Sequence, residues 1–303
     1  MSTLVSSPLP GTGPTTPPRS STWLGRLGLA GVCLAAGVAC FVFASNYFRF
    51  FPTNDNPLYQ GGLAGLFLAA ALLMRRSPRW EPYWAIAYAF FVATAVWLIT
   101  TLAGGFGNWA LQLTGMAAAS PAGTAVAKVG EAVGTVAIIL LLCWPAGFTL
   151  SSLYLKRGQL KWAVLIGLLT IVNFATAALM AASGQPRDLD ALGPLMLWGL
   201  VFSLANGFME ELWFRGLFLG RLAPHLGRGG AVFVIAVLFA LMHLGAGYME
   251  PAAVIVFFFN TFTHALVLGY LILKTDTLWG AALYHAAMDL WLFIGPIGLA
   301  AGA

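Results

Sequence analysis

Charged residues are scarce in this chain. Asp, Glu, Lys and Arg make up only 8% of its 303 residues, whereas 60% of the residues are hydrophobic and the mean hydropathy is +0.85. A water-soluble fold normally carries about 25% charged residues, because its surface must be hydrated. The composition therefore excludes a soluble globular protein and predicts an integral membrane protein.

The chain has only three cysteines, and their positions exclude further classes of function. Cys33, Cys40 and Cys143 lie inside apolar runs, without the spacing of metal ligands or of a redox pair. They are typical of small buried hydrophobic residues, so neither a disulfide framework nor thiol chemistry is expected. The formal net charge of +5 resides in short basic clusters between apolar runs, which is typical of membrane loops. Nucleic-acid binding is therefore not expected.

The N-terminal residues lack bulky apolar side chains. Residues 1–22 are rich in Ser, Thr, Pro and Gly, which predicts a disordered tail. Arg19 and Arg26 precede the apolar run Leu27–Ala44, which is long enough to span a bilayer and carries no convincing cleavage site. We therefore expect an uncleaved first helix rather than a signal peptide.

Long apolar runs fill most of the chain and predict an all-α polytopic bundle of about nine transmembrane helices, each needing about 20 residues. The runs are Leu27–Ala44, Leu58–Met74, Trp84–Leu102, Val129–Phe148, Trp162–Ala182, Leu195–Leu219, Ala231–Ala246, Val254–Leu273 and Leu278–Leu299. Gly104–Pro121, between the third and fourth runs, is interrupted by Gly and Pro and is interpreted as an interfacial or re-entrant piece.

The basic clusters give the bundle an orientation. If nine helices alternate in direction, one side of the membrane receives Arg19, Arg26, Arg75, Arg76, Arg79, Lys156, Arg157, Lys161, Arg221, Arg228 and Lys274. The positive-inside rule therefore places the N-terminus in the cytoplasm. Lys128 falls near the opposite side, just before the fourth run, and is expected to form a boundary ion pair with Glu131 at i, i+3.

The stretch Asn206–Arg215 sets two carboxylates and a guanidinium inside the sixth apolar run. Ionised groups within a bilayer are costly and usually functional. On a helix, Glu211 and Arg215 are separated by one turn, with the acid N-terminal, which favours an ion pair. Glu210 projects about 100° away from Glu211 and needs a different partner.

Two later helices supply candidates for that partner. His243, with Phe239 one turn before it, lies in the seventh run, and His285 lies one turn before Asp289 in the ninth. At a rise of about 1.5 Å per residue from the predicted cytoplasmic ends, Glu210 and both histidines fall around the middle third of a bilayer about 30 Å thick. These depths allow a single site shared by three helices.

Three motifs in this order resemble those of the CPBP intramembrane proteases. They are Glu-Glu-x-x-x-Arg at 210–215, Phe-x-x-x-His at 239–243 and His-x-x-x-Asp at 285–289. The family is also called the ABI or CaaX-protease family and includes the CaaX prenyl endopeptidases. The resemblance covers Leu195–Leu299 and implies an intramembrane endopeptidase that needs no cofactor.

The resemblance also implies a role for each motif residue. Glu210 would be the general base that activates a water molecule, and His243 would hold or polarise that water. His285 would stabilise the developing oxyanion together with Asp289. Many relatives carry Asn at position 289, and an ionised Asp cannot donate a hydrogen bond. Asp289 is therefore either protonated in its apolar surroundings or only orients His285.

The remaining motif residues would support the site. Glu211 and Arg215 would be mainly architectural, and Phe239 would pack beneath His243 or line the cavity. On this interpretation residues 191–303 form a catalytic transmembrane core, whereas residues 23–190 are transmembrane helices of unassigned role.

Several alternatives stay open. Glu210, His243 and His285 also resemble a hydrolytic zinc set, although no H-E-x-x-H helix is present, so Zn²⁺ is the alternative cofactor. A transporter or proton-coupled carrier would use the same intramembrane acids, but its usual inverted repeat is not apparent. A catalytically silent accessory protein would keep the same motifs.

The expected partners are the lipid bilayer and a membrane-anchored peptide or protein substrate. The Ala- and Gly-rich composition and the lack of organellar signals favour a bacterial inner membrane, where a prenylated substrate is less expected. The oligomeric state and the identity of the substrate do not follow from the sequence.

Overall fold

The computed structural model describes residues 22–48, 50–182, 189–245 and 254–294. Within these ranges every regular element is a helix, and seven stretches are long and apolar enough to cross a membrane. These findings confirm the predicted all-α membrane bundle. Residues 1–21, which hold almost all of the predicted disordered tail, lie outside the described residues, as do the ends of the seventh and ninth predicted spans.

The described residues form α-helices joined by short turns. The helices are α1 (Trp23–Val38), α2 (Pro57–Arg76), α3 (Trp84–Leu102), α4 (Phe106–Thr114), α5 (Pro121–Cys143), α6 (Leu160–Ala182), α7 (Leu189–Glu211), α8 (Leu217–His243), α9 (Val254–Thr275) and α10 (Trp279–Leu292). Two π turns extend helices at Ala39–Phe43 and Leu212–Gly216, and two 3₁₀ turns lie at Glu81–Tyr83 and Ser151–Leu153.

Helices α7 and α8 follow each other almost without interruption. The apolar stretch Gly193–His243 contains α8 and all but the first four residues of α7, so it covers the sixth predicted span and most of the seventh. Gly227 breaks α8 with φ of 76°, a conformation that glycine adopts without a steric penalty. Helix α10 has 14 residues, fewer than the roughly 20 of an ordinary span. The number of crossings and the cytoplasmic N-terminus therefore stay predictions.

The predicted fourth span is wrong at its start, which lies about two turns too late. Helix α5 begins at Pro121, whose fixed φ suits the first helical position, and Ser120 caps it by accepting from the Gly123 amide. The predicted ion pair between Lys128 and Glu131 is present at 2.7 Å, but it lies inside the helix rather than at a boundary. The preceding interrupted piece forms α4, which packs against α5.

The bundle core surrounds the π turn between α7 and α8. Trp213 and Phe214 of this turn are fully buried. The Phe214 ring stacks on Phe41 with centroids 4.5 Å apart, and the Trp213 ring lies 4.5 Å from Trp97. A π turn is an irregularity that recurs at functional sites, and here it joins the helix with the two glutamates to the helix that carries Phe239.

Gly207 determines how closely α7 approaches α10. A Cβ atom at this position would lie 2.8 Å from the carbonyl oxygen of Ala282 and 2.8 Å from the amide nitrogen of Ala286. Both are backbone atoms, which a side-chain rotation cannot move away. The missing side chain thus allows the two helices to pack backbone against backbone, as small residues commonly do in membranes.

We expect Gly207→Ala to separate α7 from α10 and to destabilise the fold by about 1–3 kcal/mol, the usual cost of overpacking. Thermal unfolding in detergent would show a lower Tm than for the parent chain. Gly193→Ala is the matched control, because it lies on the same helix with nothing within 4 Å of the added Cβ. Equal Tm values for the two variants would contradict the close approach.

Candidate active site

The C-terminal turns of α7 bring three polar side chains into the protein interior. Asn206 and Glu210 lie one turn apart on the same face, and Glu211 follows directly. The exposed fractions are 6% for Asn206, 4% for Glu210 and 0% for Glu211. Because burying an ionised group is expensive without compensation, each needs partners from neighbouring elements.

Glu211 has the predicted cationic partner. Its Oε1 atom accepts a hydrogen bond from Arg215 Nη1 at 2.6 Å, and both side chains are fully buried. The Arg215 guanidinium also lies 4.3 Å from the centre of the Phe239 ring and donates to the Ala265 carbonyl at 3.4 Å. The predicted Glu211–Arg215 ion pair is confirmed, and it connects α7 to α8 and α9.

The same carboxylate oxygen also orients His285. Glu211 Oε1 lies 2.9 Å from His285 Nδ1, whereas Asp289 Oδ1 lies 3.7 Å from His285 Nε2, beyond hydrogen-bonding distance. His285 therefore donates its orienting hydrogen bond to Glu211 and not to Asp289. The resemblance implies a mainly architectural role for Glu211. In addition to pairing with Arg215, its carboxylate fixes the orientation of the His285 imidazole.

Asp289 has a different partner, one that the sequence reasoning did not single out. Asn206 Nδ2 donates to Asp289 Oδ2 at 2.9 Å, and both residues are buried. The other amide atom, Asn206 Oδ1, has no hydrogen-bond partner among the described residues. One signal could have found Asn206 earlier, because it stands one helical turn before Glu210 on the same face.

His243 approaches Glu210 from α8. Its Nδ1 atom lies 2.8 Å from the Phe239 carbonyl oxygen, so this nitrogen carries a proton and donates it to the carbonyl. The Phe239 ring packs against the His243 imidazole with centroids 4.2 Å apart, which confirms the expected packing. These two contacts leave Nε2 facing Glu210 Oε2 at 3.4 Å.

Glu210 is the point at which the three helices meet. Its Oε2 atom lies 3.4 Å from His243 Nε2 and 3.7 Å from His285 Nε2, and it has no hydrogen bond to any described residue. The structure thus brings together Glu210, Glu211, Arg215, Phe239, His243, His285 and Asp289, the seven residues that the motifs point to. A buried carboxylate oxygen facing two imidazoles is suited to binding and activating a water molecule.

The alternative zinc set consists of Glu210, His243 and His285. Among the described residues, no group of three or more His, Cys, Asp and Glu side chains is placed to hold a metal ion. Zinc therefore stays an alternative for experiment.

We expect Arg215→Met to destabilise the protein by about 3–5 kcal/mol, because Glu211 would be left as a buried charge without its cation. Glu211, which also accepts from His285, would be held less firmly, so catalytic activity should fall as well. The measurement is thermal unfolding in detergent, with the exposed Arg228→Met as a matched control. A Tm equal to that of the control would show that the ion pair is not needed.

Comparison with known proteins agrees with this geometry. Residues 192–291 match the family model described as Type II CAAX prenyl endopeptidase Rce1-like, and the matched region contains all seven motif residues. No curated protein and no solved structure matches the chain. Over residues 192–291, about a third of the chain, the protein is similar to the CAAX-type (CPBP) membrane proteases, as the motifs predicted, and this match supports an integral membrane peptide hydrolase.

Proposed function

We propose that this protease hydrolyses a peptide bond of a membrane-anchored peptide or protein with a water molecule that Glu210 activates. The supporting observation is the buried Glu210 Oε2 atom, which faces two imidazole Nε2 atoms at 3.4 and 3.7 Å and has no hydrogen-bond partner among the described residues. Such contacts, longer than a direct hydrogen bond, leave a water molecule as the natural third partner.

The tautomer of His243 explains how such a water molecule would be oriented. Because Nδ1 donates to the Phe239 carbonyl, Nε2 of the neutral imidazole is an acceptor. A carboxylate and an imidazole lone pair that face each other at 3.4 Å both require a donor, which a molecule lying beside the two atoms can provide. Water supplies two O–H groups, one for Glu210 and one for His243, and its own lone pair then points away from both. That lone pair would be free to attack a carbonyl carbon.

The hydrolytic step then follows from these contacts. Glu210 accepts a proton as the water oxygen bonds to the carbonyl carbon of the scissile peptide, and the carbonyl oxygen takes up the negative charge. When the tetrahedral intermediate collapses, Glu210 returns the proton to the departing nitrogen. The products are a carboxylic acid and an amine. Glu210 thus acts first as base and then as acid.

His285 is the proposed partner of the oxyanion. Its Nδ1 atom donates to Glu211 Oε1, so in the doubly protonated form Nε2–H is available for the developing negative charge. Asp289 can add a second donor only as a protonated acid, because an ionised carboxylate is an acceptor. Its Oδ2 atom is occupied by the Asn206 amide, which leaves Oδ1 as the atom that would carry that proton.

We propose a chemical class of substrate rather than one individual peptide. Glutamates, histidines and an arginine buried within a bundle of apolar helices favour a membrane-anchored polypeptide that reaches the site from the lipid phase. A bacterial inner membrane is the proposed location, on the composition already given. Whether the natural substrate carries a prenyl group is a separate question that cleavage assays on paired peptides would answer.

Glu210→Gln should abolish peptide cleavage, with a loss of about 100-fold or more for removing a general base. The fold should survive, because Gln keeps the size of the side chain and Glu210 Oε2 has no hydrogen-bond partner among the described residues. The assay uses purified protein and a panel of membrane-anchored peptides, with Tm as the check of folding. Full activity in Glu210→Gln would contradict the proposed mechanism.

The cleavage assay and a transport assay in liposomes together separate the alternatives. Cleavage that survives a chelator and needs Glu210 supports the metal-free route, whereas loss with the chelator and rescue by zinc would overturn it. Electrogenic uptake in liposomes without any cleavage would instead indicate a carrier.

Asp289→Asn tests the oxyanion contribution. The new amide can still accept from Asn206 through its oxygen, and its Nδ2–H₂ group supplies a donor toward the substrate. We expect cleavage within about tenfold of the parent chain, whereas Asp289→Leu should lose about 100-fold or more, the usual cost of removing an oxyanion donor. If the Asn variant is as inactive as the Leu variant, the negative charge of Asp289 is itself required.

A further inference from the structure

Helix α5, which precedes the family-matched region, carries an ammonium group into the bundle. Lys128 Nζ lies 2.7 Å from Glu131 Oε2, and Glu131 also accepts a short hydrogen bond from the Tyr47 hydroxyl. The ammonium lies 5.6 Å from the centres of both the Tyr47 and the Phe202 rings. Two ring faces and one carboxylate thus hold the lysine at a defined place within α5.

That place lies beside the candidate active site. Phe202, Asn206 and Glu210 follow one another at one-turn intervals along α7, and α5 packs against this helix. Because Lys128 lies over the Phe202 ring, it is on the face of α7 that carries the site. Its ammonium thus lies over a ring two helical turns before Glu210 on that face.

The charges around Glu210 show what this ammonium adds. His243 on α8 and His285 on α10 face that carboxylate at 3.4 and 3.7 Å. The other titratable or charged groups of the surrounding elements are Glu211 and Arg215 next to it in the chain, Asp289 on α10, Lys128 on α5 and Tyr47 after α1. Arg215 is engaged directly by Glu211 at 2.6 Å. Lys128 therefore supplies a second positive charge to a site that holds several carboxylates.

We propose that Lys128, held by Glu131 and Tyr47, is a positioning residue whose ammonium charge keeps Glu210 in the form that activates water. The inference rests on the proposed function of Glu210. In a water-excluded interior, charges interact over longer distances and are screened less than at a surface. Lys128 can thus stabilise the carboxylate of Glu210 beside the carboxylate of Asp289 without touching the substrate.

The proposal gives a role to the N-terminal helices of residues 23–190. Lys128, Glu131 and Tyr47 all precede the family-matched residues 192–291. The N-terminal helices would thereby complete the active site electrostatically, in addition to packing around it.

The experiment compares kcat and KM of the full chain on a cleavable membrane-anchored peptide. Lys128→Met should lower kcat by about 10- to 100-fold, in the range for removing a preorganised charge, and should change KM by less than about threefold. Lys128→Arg keeps the charge and should restore kcat to within about threefold of the parent chain. Lys161→Met, at an exposed position, is the control and should leave kcat unchanged.

A double variant separates electrostatics from structure. Lys128→Met leaves Glu131 without its cation, whereas Lys128→Met with Glu131→Gln removes the ion pair as a neutral unit and keeps an acceptor for Tyr47. A kcat that stays low in the double variant, with the parent Tm, supports the proposal. Recovery of kcat in the double variant would overturn it, because the loss would then come from the unpaired Glu131.

The double variant also decides the question if Lys128→Met alone does not fold. Parent kcat in a folded Lys128→Met protein would overturn the proposal as well. These outcomes are distinct from failure of the proposed function, which would appear as cleavage by Glu210→Gln.

Discussion

The fully buried carboxylate of Glu211 connects the helices on which the site depends. One oxygen accepts from Arg215 at 2.6 Å and from His285 at 2.9 Å, so the same atom joins α7 to α10 and to the π turn. Arg215 in turn contacts the Phe239 ring, and the Phe239 carbonyl fixes His243. Because a buried charge is tolerated only with such partners, this network leaves few other arrangements for the three helices.

The two adjacent glutamates therefore have different chemistry. Glu211 is engaged by a guanidinium and an imidazole, whereas Glu210 Oε2 faces two imidazole nitrogens and has no hydrogen bond from a described residue. The difference arises from the helix itself, which turns successive side chains by about 100°. One carboxylate thus enters the supporting network while its neighbour stays available for water.

Close helix packing brings these groups within reach of one another. Helix association in a bilayer depends on van der Waals contact between small residues. Gly207 packs against the α10 backbone at Ala282 and Ala286, about one turn before Asp289 in the chain. The same approach allows Asn206 to reach Asp289 at 2.9 Å. Helix α5 also packs against α7 and places Lys128 over the ring of Phe202, two turns before Glu210, so helices from both halves of the chain contact α7.

The sequence by itself determined the fold class, the bounds of α2, α3, α6 and α9 to within two residues, and the motif residues. Apolar runs and helical spacing depend on local order along the chain, which is why α3 and the Glu211–Arg215 pair could be predicted. Only the tertiary structure decided that Glu211 orients His285, that Asn206 holds Asp289 and that Lys128 lies over the Phe202 ring. These contacts join residues far apart in the chain, and their distances depend on helix rotation and close approach, which no spacing in the sequence specifies.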